Sequence, residues 1–337
     1  MKFNKHPLSF LRTTLSLAVA GALLLTGCSA GSNKQEAGEL QELTLLLDWY
    51  PNAVHTFLYA AEEQGYFEEA GLKVNLQTPA GTNDAVKLVA TGKADLALSY
   101  QMQVAISRSE DIPVVSLAAF VRHPLSHVLA LKSSGIQSPK ELTSARVGFP
   151  SIPLNEAIVS TMVKADGGDA SSLGLQDIGW DLIPAMTTNK VDAIVGGYIN
   201  HEKLLLEKEG VELVSFDPTQ YGVPSYYELV LIASEDGAEE KQELYRKFLD
   251  AAAKGQQYTA EHPEEALGVL LDQQKTEYPL DADIEKLSLD MLLPLMDAGD
   301  EPFGSQSLET WQSVVEWLQE HGQLKQEVDP EQAFRNL

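Results

Sequence analysis

Short apolar runs alternate with helical stretches along most of the chain. Runs rich in Leu, Val, Ala and Ile predict strands at residues 43–47, 73–77, 95–99, 114–118, 127–131, 146–149, 191–195, 212–215 and 228–233. Apolar residues spaced three and four positions apart predict helices at residues 53–64, 82–91, 101–108, 155–164, 181–189, 198–209, 239–262, 263–273, 282–296 and 307–320. Such alternation is typical of open parallel sheets covered by helices, so we expect an α/β protein.

The predicted elements fall into two α/β units followed by four helices. The extended segments at 127–131 and 228–233 lie between the units and can carry the chain across and back. This order predicts two lobes around a hinged cleft, with lobe I formed by residues 43–128 and 231–337 and lobe II by residues 129–230. Ligands of open α/β sheets bind beyond the carboxyl ends of the strands, so we expect the site in this cleft.

The first 42 residues follow a different pattern. Three cations precede an apolar run at residues 15–25, which is too short to cross the ~30 Å of a bilayer core as a helix. The run ends in Leu25-Thr26-Gly27-Cys28, which resembles a bacterial lipobox. We therefore expect a lipoprotein signal peptide at residues 1–27, a lipid anchor on Cys28, and a tether at residues 28–42 on the outer face of the cell membrane. A secretory signal with an incidental cysteine is the alternative.

Charge and cysteine content exclude several classes of function. The chain has 24 Lys and Arg against 49 Asp and Glu, and cleavage after residue 27 would change the formal net charge from −25 to −28 because it removes three cations and no acid. Nucleic acid and anionic lipid are therefore poor partners. Cys28 is the only cysteine, which excludes a disulfide and a thiolate metal site. We expect a monomer without cofactor or metal.

A dense set of polar and aromatic residues follows the first predicted strand, where the cleft should open. It reads Asp48-Trp49-Tyr50-Pro51-Asn52-Ala53-Val54-His55. The proline favours a tight turn, Asn52 can cap the next helix, and Trp49 can lie flat on a planar ligand. The alternatives are that Trp49 is a core residue and that Asn52 is only a cap.

This segment resembles the D-W-x-P-N-x-x-H signature of the substrate-binding lipoproteins of pyrimidine-precursor ABC transporters, whose superfamily also contains the fungal thiamine-pyrimidine synthases. Weaker likenesses occur at residues 65–72, 92–95, 148–157 and 196–202. The resemblance implies a type II periplasmic-binding-protein fold and an ABC permease as partner. It also implies a ligand such as N-formyl-4-amino-5-aminomethyl-2-methylpyrimidine or hydroxymethylpyrimidine, for thiamine salvage.

An aminopyrimidine needs aromatic rings against its faces and a side chain that answers both the exocyclic amine and the ring nitrogen at its edge. Glu202 is the candidate for that edge, because a carboxylate accepts from the amine. Tyr100 and Tyr198 follow strands of different lobes, so they and Trp49 are the candidate stacking rings. A solvated Glu202 on the outside of its helix is the alternative.

Five further positions are weaker candidates. Asn155 and Glu156 lie where a loop enters a helix, so they can face the cleft or serve only to cap the helix. His55 stands at the histidine position of the signature. Tyr226 and Tyr227 lie beside the second extended segment, where they can line the cleft or brace the hinge.

Other functions fit the sequence less well than a receptor does. The fungal synthases carry a cysteine-rich motif that a chain with one cysteine lacks, although His55 matches their histidine. A sulfonate or nitrate receptor conflicts with a buried Glu202, which would repel an anion, and a riboflavin-like solute stays open. His123 and His127 lack a third ligand for zinc. We therefore expect a non-catalytic receptor.

Overall fold

A computed structural model describes residues 40–79, 84–150, 152–179, 181–274 and 279–337. The predicted signal peptide, Cys28 and the tether up to residue 39 lie outside the described residues. Within the described ranges, no helix has the length and apolar character required to cross a membrane.

The described residues form ten strands in two sheets of five. The strands are β1 (Gln41–Leu46), β2 (Leu72–Gln77), β3 (Leu96–Ser99), β4 (Val114–Val121), β5 (Ser126–Leu131), β6 (Arg146–Phe149), β7 (Gly174–Asp177), β8 (Ala193–Tyr198), β9 (Leu213–Phe216) and β10 (Leu229–Ser234). The first sheet has the order β2-β1-β3-β10-β4 and the second the order β7-β6-β8-β5-β9.

Both sheets are mixed, whereas the pattern predicted parallel ones. Strand β10 runs antiparallel to β3 and β4, and β5 runs antiparallel to β8 and β9. The remaining pairs are parallel. The exceptions have a topological reason, because β5 and β10 follow the two passages between the sheets and so enter from the opposite direction.

Helices cover the sheets. They are α1 (Thr56–Glu63), α2 (Tyr66–Glu69), α3 (Asp84–Ala90), α4 (Gln101–Arg108), α5 (Pro153–Ala165), α6 (Leu182–Thr187), α7 (Glu202–Lys208), α8 (Glu235–Glu240), α9 (Gln242–Glu261), α10 (Pro263–Asp272), α11 (Ala282–Met296), α12 (Leu308–Glu320) and α13 (Pro330–Ala333). A short 3-10 helix, Ala53–His55, leads into α1.

Two predicted helices differ most clearly from the structure, while several others differ by a few residues at their ends. The helix predicted at 198–209 begins too early, because Tyr198 ends β8, where it pairs with Ser126, and α7 starts at Glu202. The helix predicted at 239–262 is two helices that meet at Lys241. Strand β7 was not predicted, since this sheet-edge strand is mostly exposed and carries no apolar run.

The chain passes from the first sheet to the second at residues 122–125, the first crossover, and returns at residues 217–228, the second crossover. The predicted lobe boundaries at 128/129 and 230/231 fall inside β5 and β10. Each of these strands belongs wholly to one sheet, so both passages occur a few residues earlier than predicted.

Helix α12 contributes residues to two of the hydrophobic clusters. Its Trp311 is fully buried in a cluster with Ile232 of β10. One and two turns later, Val314 and Leu318 belong to a second cluster, which contains Met102 of α4 and Val147 of β6. Helix α12 thus belongs to hydrophobic clusters that draw on residues of both lobes.

Candidate functional site

A cavity of about 460 Å³ lies between the carboxyl ends of the strands of the two sheets. Its wall combines residues of both lobes and of both crossovers. Among the lining residues are Asp48, Trp49, Asn52 and Tyr100 from the first lobe, Asn155, Gly196, Tyr198, His201 and Glu202 from the second, and Leu125, Tyr226 and Glu228 from the crossovers. A cavity of this size and place is typical of a small-molecule site.

The structure brings six of the eight predicted site residues to this cavity: Trp49, Asn52, Tyr100, Asn155, Tyr198 and Glu202. Asn52 also caps the 3-10 helix, since its Oδ1 accepts from the Val54 N–H at 3.1 Å. The two interpretations of Asn52, a helix cap and a residue of the cavity wall, are therefore compatible, because a side chain that caps a helix at the mouth of the cleft can also face the cavity.

His55 lies behind the wall of the cavity. Its side chain is 0 % exposed, with Nε2 2.8 Å from Asp48 Oδ1. Its Nδ1 accepts from the Asn52 N–H at 3.2 Å, so Nε2 carries the proton that it donates to Asp48. His55 therefore orients a wall residue instead of facing a ligand.

Glu156 points away from the cavity. It is exposed, while its neighbour Asn155 is buried, because consecutive residues of a helix point about 100° apart. Asn155 packs against the backbone of Gly196, whose φ is +85°, and a Cβ at that position would come 3.0 Å from Asn155 Nδ2. The glycine thus lets β8 approach the start of α5.

Tyr100 and Tyr198 reach the cavity from the first and second lobe, respectively. The Tyr100 hydroxyl donates to Asp48 Oδ2 at 3.0 Å, and the Tyr198 hydroxyl donates to Glu228 Oε1 at 2.8 Å. Burial, together with these acidic neighbours, holds the pKa of both hydroxyls well above the ordinary value. Each ring is thus fixed at its far end by a carboxylate.

Glu202 is held by two hydrogen bonds. Its Oε2 accepts from the Tyr198 N–H at 2.9 Å, and its Oε1 lies 2.9 Å from Nδ1 of His201. Burial alone would raise the pKa of Glu202, but the hydrogen bond and charge of His201 outweigh it and lower that pKa. Glu202 therefore presents an ionised carboxylate, the form that accepts best from an exocyclic amine.

The pattern of the sequence did not single out Glu228, which was predicted only as the first residue of a strand. It is 4 % exposed, lines the cavity and accepts from the Leu125 N–H at 2.7 Å and the Ser126 N–H at 3.2 Å. Burial raises the pKa of this carboxyl against the opposing effect of its donors. An acid placed directly before the apolar run of β10 was the available signal.

The cavity is acidic. Among the described residues that line it are three carboxylates, those of Asp48, Glu202 and Glu228, and neither a lysine nor an arginine. Such a wall suits a ligand with several hydrogen-bond donors and disfavours an anion.

The NMT1/THI5 like family model matches residues 52–266, well over half of the chain. The chain belongs to this family. Its relatives include a formylaminopyrimidine-binding protein of Halalkalibacterium halodurans, 44% identical over 98% of this chain and 99% of that protein. They also include a 4-amino-5-hydroxymethyl-2-methylpyrimidine phosphate synthase of Legionella pneumophila, 29% identical over 68% of this chain and 72% of that protein. NMT1/THI5 like relatives thus comprise binding proteins and enzymes.

Solved structures support the predicted fold of this NMT1/THI5 like chain. The periplasmic aliphatic sulphonate binding protein SsuA of Escherichia coli superposes with a TM-score of 0.69 over 87% of this chain and 97% of that one, at 13% identity. At this identity the likeness concerns the fold alone. It confirms the predicted two-lobed periplasmic-binding-protein fold.

Proposed function

We propose that the protein is a non-catalytic extracytoplasmic receptor that binds a thiamine-precursor aminopyrimidine and delivers it to an ABC permease. The observation that carries this proposal is the near full-length 44% identity to a formylaminopyrimidine-binding protein. N-formyl-4-amino-5-aminomethyl-2-methylpyrimidine and its hydroxymethyl counterpart are the ligands we assign to the cavity.

The side chains of the cavity support a flat, donor-bearing heterocycle. Trp49, Tyr100 and Tyr198 supply aromatic surface from both lobes, and each ring that stacks contributes ~1 kcal/mol beyond its burial. The ionised carboxylate of Glu202 lies at the same wall and accepts from the exocyclic amine. Closure of the lobes would bring these groups onto one ligand.

Two observations favour a receptor over a synthase. The only cysteine of the chain is Cys28, so the cysteine-rich motif of the fungal enzymes has no counterpart. His55, at the position of their histidine, is fully buried and bonded to Asp48 and Asn52. A histidine held in this way orients Asp48 and does not reach a reactant.

We also propose that the receptor is anchored through a lipid on Cys28 and works as a monomer. The amino-terminal cations, the apolar run at 15–25 and the lipobox-like segment support the anchor. Mass spectrometry of the membrane-bound protein tests it, since cleavage before Cys28 and a diacylglyceryl group predict a defined mass. A Cys28→Ser variant should release the protein from the membrane, and one that stays membrane-bound would contradict the anchor.

Calorimetry of the purified chain without residues 1–39 tests the ligand. We expect saturable binding of both pyrimidines and no heat from an alkanesulfonate, nitrate or riboflavin at the same concentrations. Size-exclusion chromatography with light scattering in the same experiment gives the oligomeric state. Binding of a sulfonate without binding of either pyrimidine would overturn the assignment.

A further inference from the structure

Glu228 lies where the two crossovers meet. It is the last residue of the second crossover, and its Oε2 accepts from the N–H groups of Leu125 and Ser126, at the end of the first. Any rotation of one lobe against the other has to pass through these two segments, since they are the only chain connections between the sheets within the described residues. The carboxylate therefore joins the segments about which the lobes turn.

The other oxygen of the same carboxylate binds a tyrosine of the cavity wall. Oε1 accepts from the hydroxyl of Tyr198 at 2.8 Å, and the hydroxyl of Tyr226 lies beside it. Tyr198 ends β8 of the second lobe, and its backbone N–H binds Glu202. Glu228 thus connects both crossovers to the ring of Tyr198. The backbone N–H of Tyr198 connects them in turn to Glu202, the carboxylate assigned to the ligand.

Burial of a carboxylate is energetically costly. Its desolvation costs several kcal/mol unless donors compensate for it, and an apolar residue of similar volume often gives equal or greater stability. Glu228 accepts from Leu125, Ser126 and Tyr198, has the Tyr226 hydroxyl as a further donor, and none of these partners is a cation. A contribution to folding stability is therefore a weak explanation for a glutamate at this position. The arrangement of its hydrogen-bond partners is a stronger one.

We propose that Glu228 is a positioning residue: it fixes the ring of Tyr198 for the ligand and links that ring to the two crossovers. A ligand bound against Tyr198 then contacts a ring that is linked to the two crossovers, the segments about which the lobes close. The part of this inference that concerns the ligand rests on the proposed function, whereas the link between Tyr198 and the crossovers exists in the ligand-free protein.

Hydrogen exchange of the ligand-free protein tests the link without any ligand. In Glu228→Leu and in Tyr198→Phe we expect faster exchange of the amides of residues 122–128, by at least about fivefold, with a smaller effect in Glu228→Gln, which keeps one acceptor. Asp95→Asn is the matched control, because Asp95 also accepts from a backbone N–H, that of Thr44, but lies outside the cavity. Unchanged exchange in Tyr198→Phe would overturn the link.

Calorimetry with 4-amino-5-hydroxymethyl-2-methylpyrimidine tests the effect on the ligand. We expect about tenfold weaker binding in Glu228→Leu and in Tyr198→Phe, partial rescue in Glu228→Gln, and a double Glu228→Leu, Tyr198→Phe variant no weaker than the worse single one. A merely structural role would lower the melting temperature and give additive losses, which would overturn the proposal. Failure of the unaltered protein to bind this pyrimidine would count against the proposed function and leave the exchange test of the link intact.

Discussion

His201 and Glu202 are neighbours in the sequence whose side chains are hydrogen bonded to each other, with 2.9 Å between Nδ1 and Oε1. Burial by itself would lower the pKa of His201, but the hydrogen bond and charge of Glu202, with the charge of Glu285, outweigh it and raise that pKa. Each partner therefore favours the charged form of the other at the wall of the cavity.

The pair predicts a stability optimum on the acidic side of neutrality. The contribution of His201 is fully present below its ordinary pKa of 6.5 and is lost as the pH rises through its raised folded value. The contribution of Glu202 is present above 4.5 and is lost as the pH falls through its lowered folded value. A His201→Gln variant should therefore lose more stability at about pH 5.5 than at about pH 8.5, by under ~1 kcal/mol because solvent screens the partly exposed imidazole. Urea unfolding at both pH values measures this, and an equal loss at both would contradict the ion pair.

Replacement of Trp49 by alanine should weaken pyrimidine binding. The change removes an aromatic face as well as buried area, so we expect a loss of at least tenfold, about 1.4 kcal/mol. Trp49→Phe is the control, since it keeps a ring and should retain most of the affinity. Full affinity in the alanine variant, with an unchanged melting temperature, would show that Trp49 does not contact the ligand.

A phosphate ester of hydroxymethylpyrimidine should bind far more weakly than the free alcohol. A unit negative charge about 6 Å from one carboxylate of the cavity costs about 3 kcal/mol at an effective dielectric constant of 20, roughly a hundredfold in affinity. Competition calorimetry with the two compounds measures the ratio. Added salt should narrow it, and equal binding of ester and alcohol would mean that a cation reaches the cavity in solution.

Gly255 and Gly268 should respond to alanine in opposite directions. A Cβ on Gly255 in α9 would lie 2.2 Å from the carbonyl oxygen of Phe57 in α1, so Gly255→Ala should cost about 2 kcal/mol or more of folding free energy. A Cβ on Gly268 in α10 meets nothing within 4 Å, and Gly268→Ala should stabilise by about 0.5–1 kcal/mol through helix propensity. Thermal and urea unfolding of both variants decides this, and a neutral Gly255→Ala would show that the two helices can separate.

Local patterns were sufficient for much of the fold. The bounds predicted for α4, α11 and β6 agree with the structure residue for residue, because apolar periodicity marks the two helices and a short run of Val, Gly and Phe after Arg146 marks the strand. Local patterns do not predict the mixed sheets, because the direction of β10 depends on the path that the chain takes before this strand. Glu228 was missed for a related reason: its partners, Leu125 and Tyr198, lie far from it in the sequence.

The position of β10 also has a consequence for the order of folding. This strand lies between β3 and β4 in the first sheet, yet it follows the whole second sheet in the chain. Strands β3 and β4 therefore have no shared partner until residue 229 has been made, and the loop that closes between β4 and β10 spans the second lobe. Such closure is slow, because its entropy is lost before the contacts form. The second lobe can complete its sheet from one contiguous stretch of chain. The sheet of the first lobe stays incomplete until β10 pairs between β3 and β4.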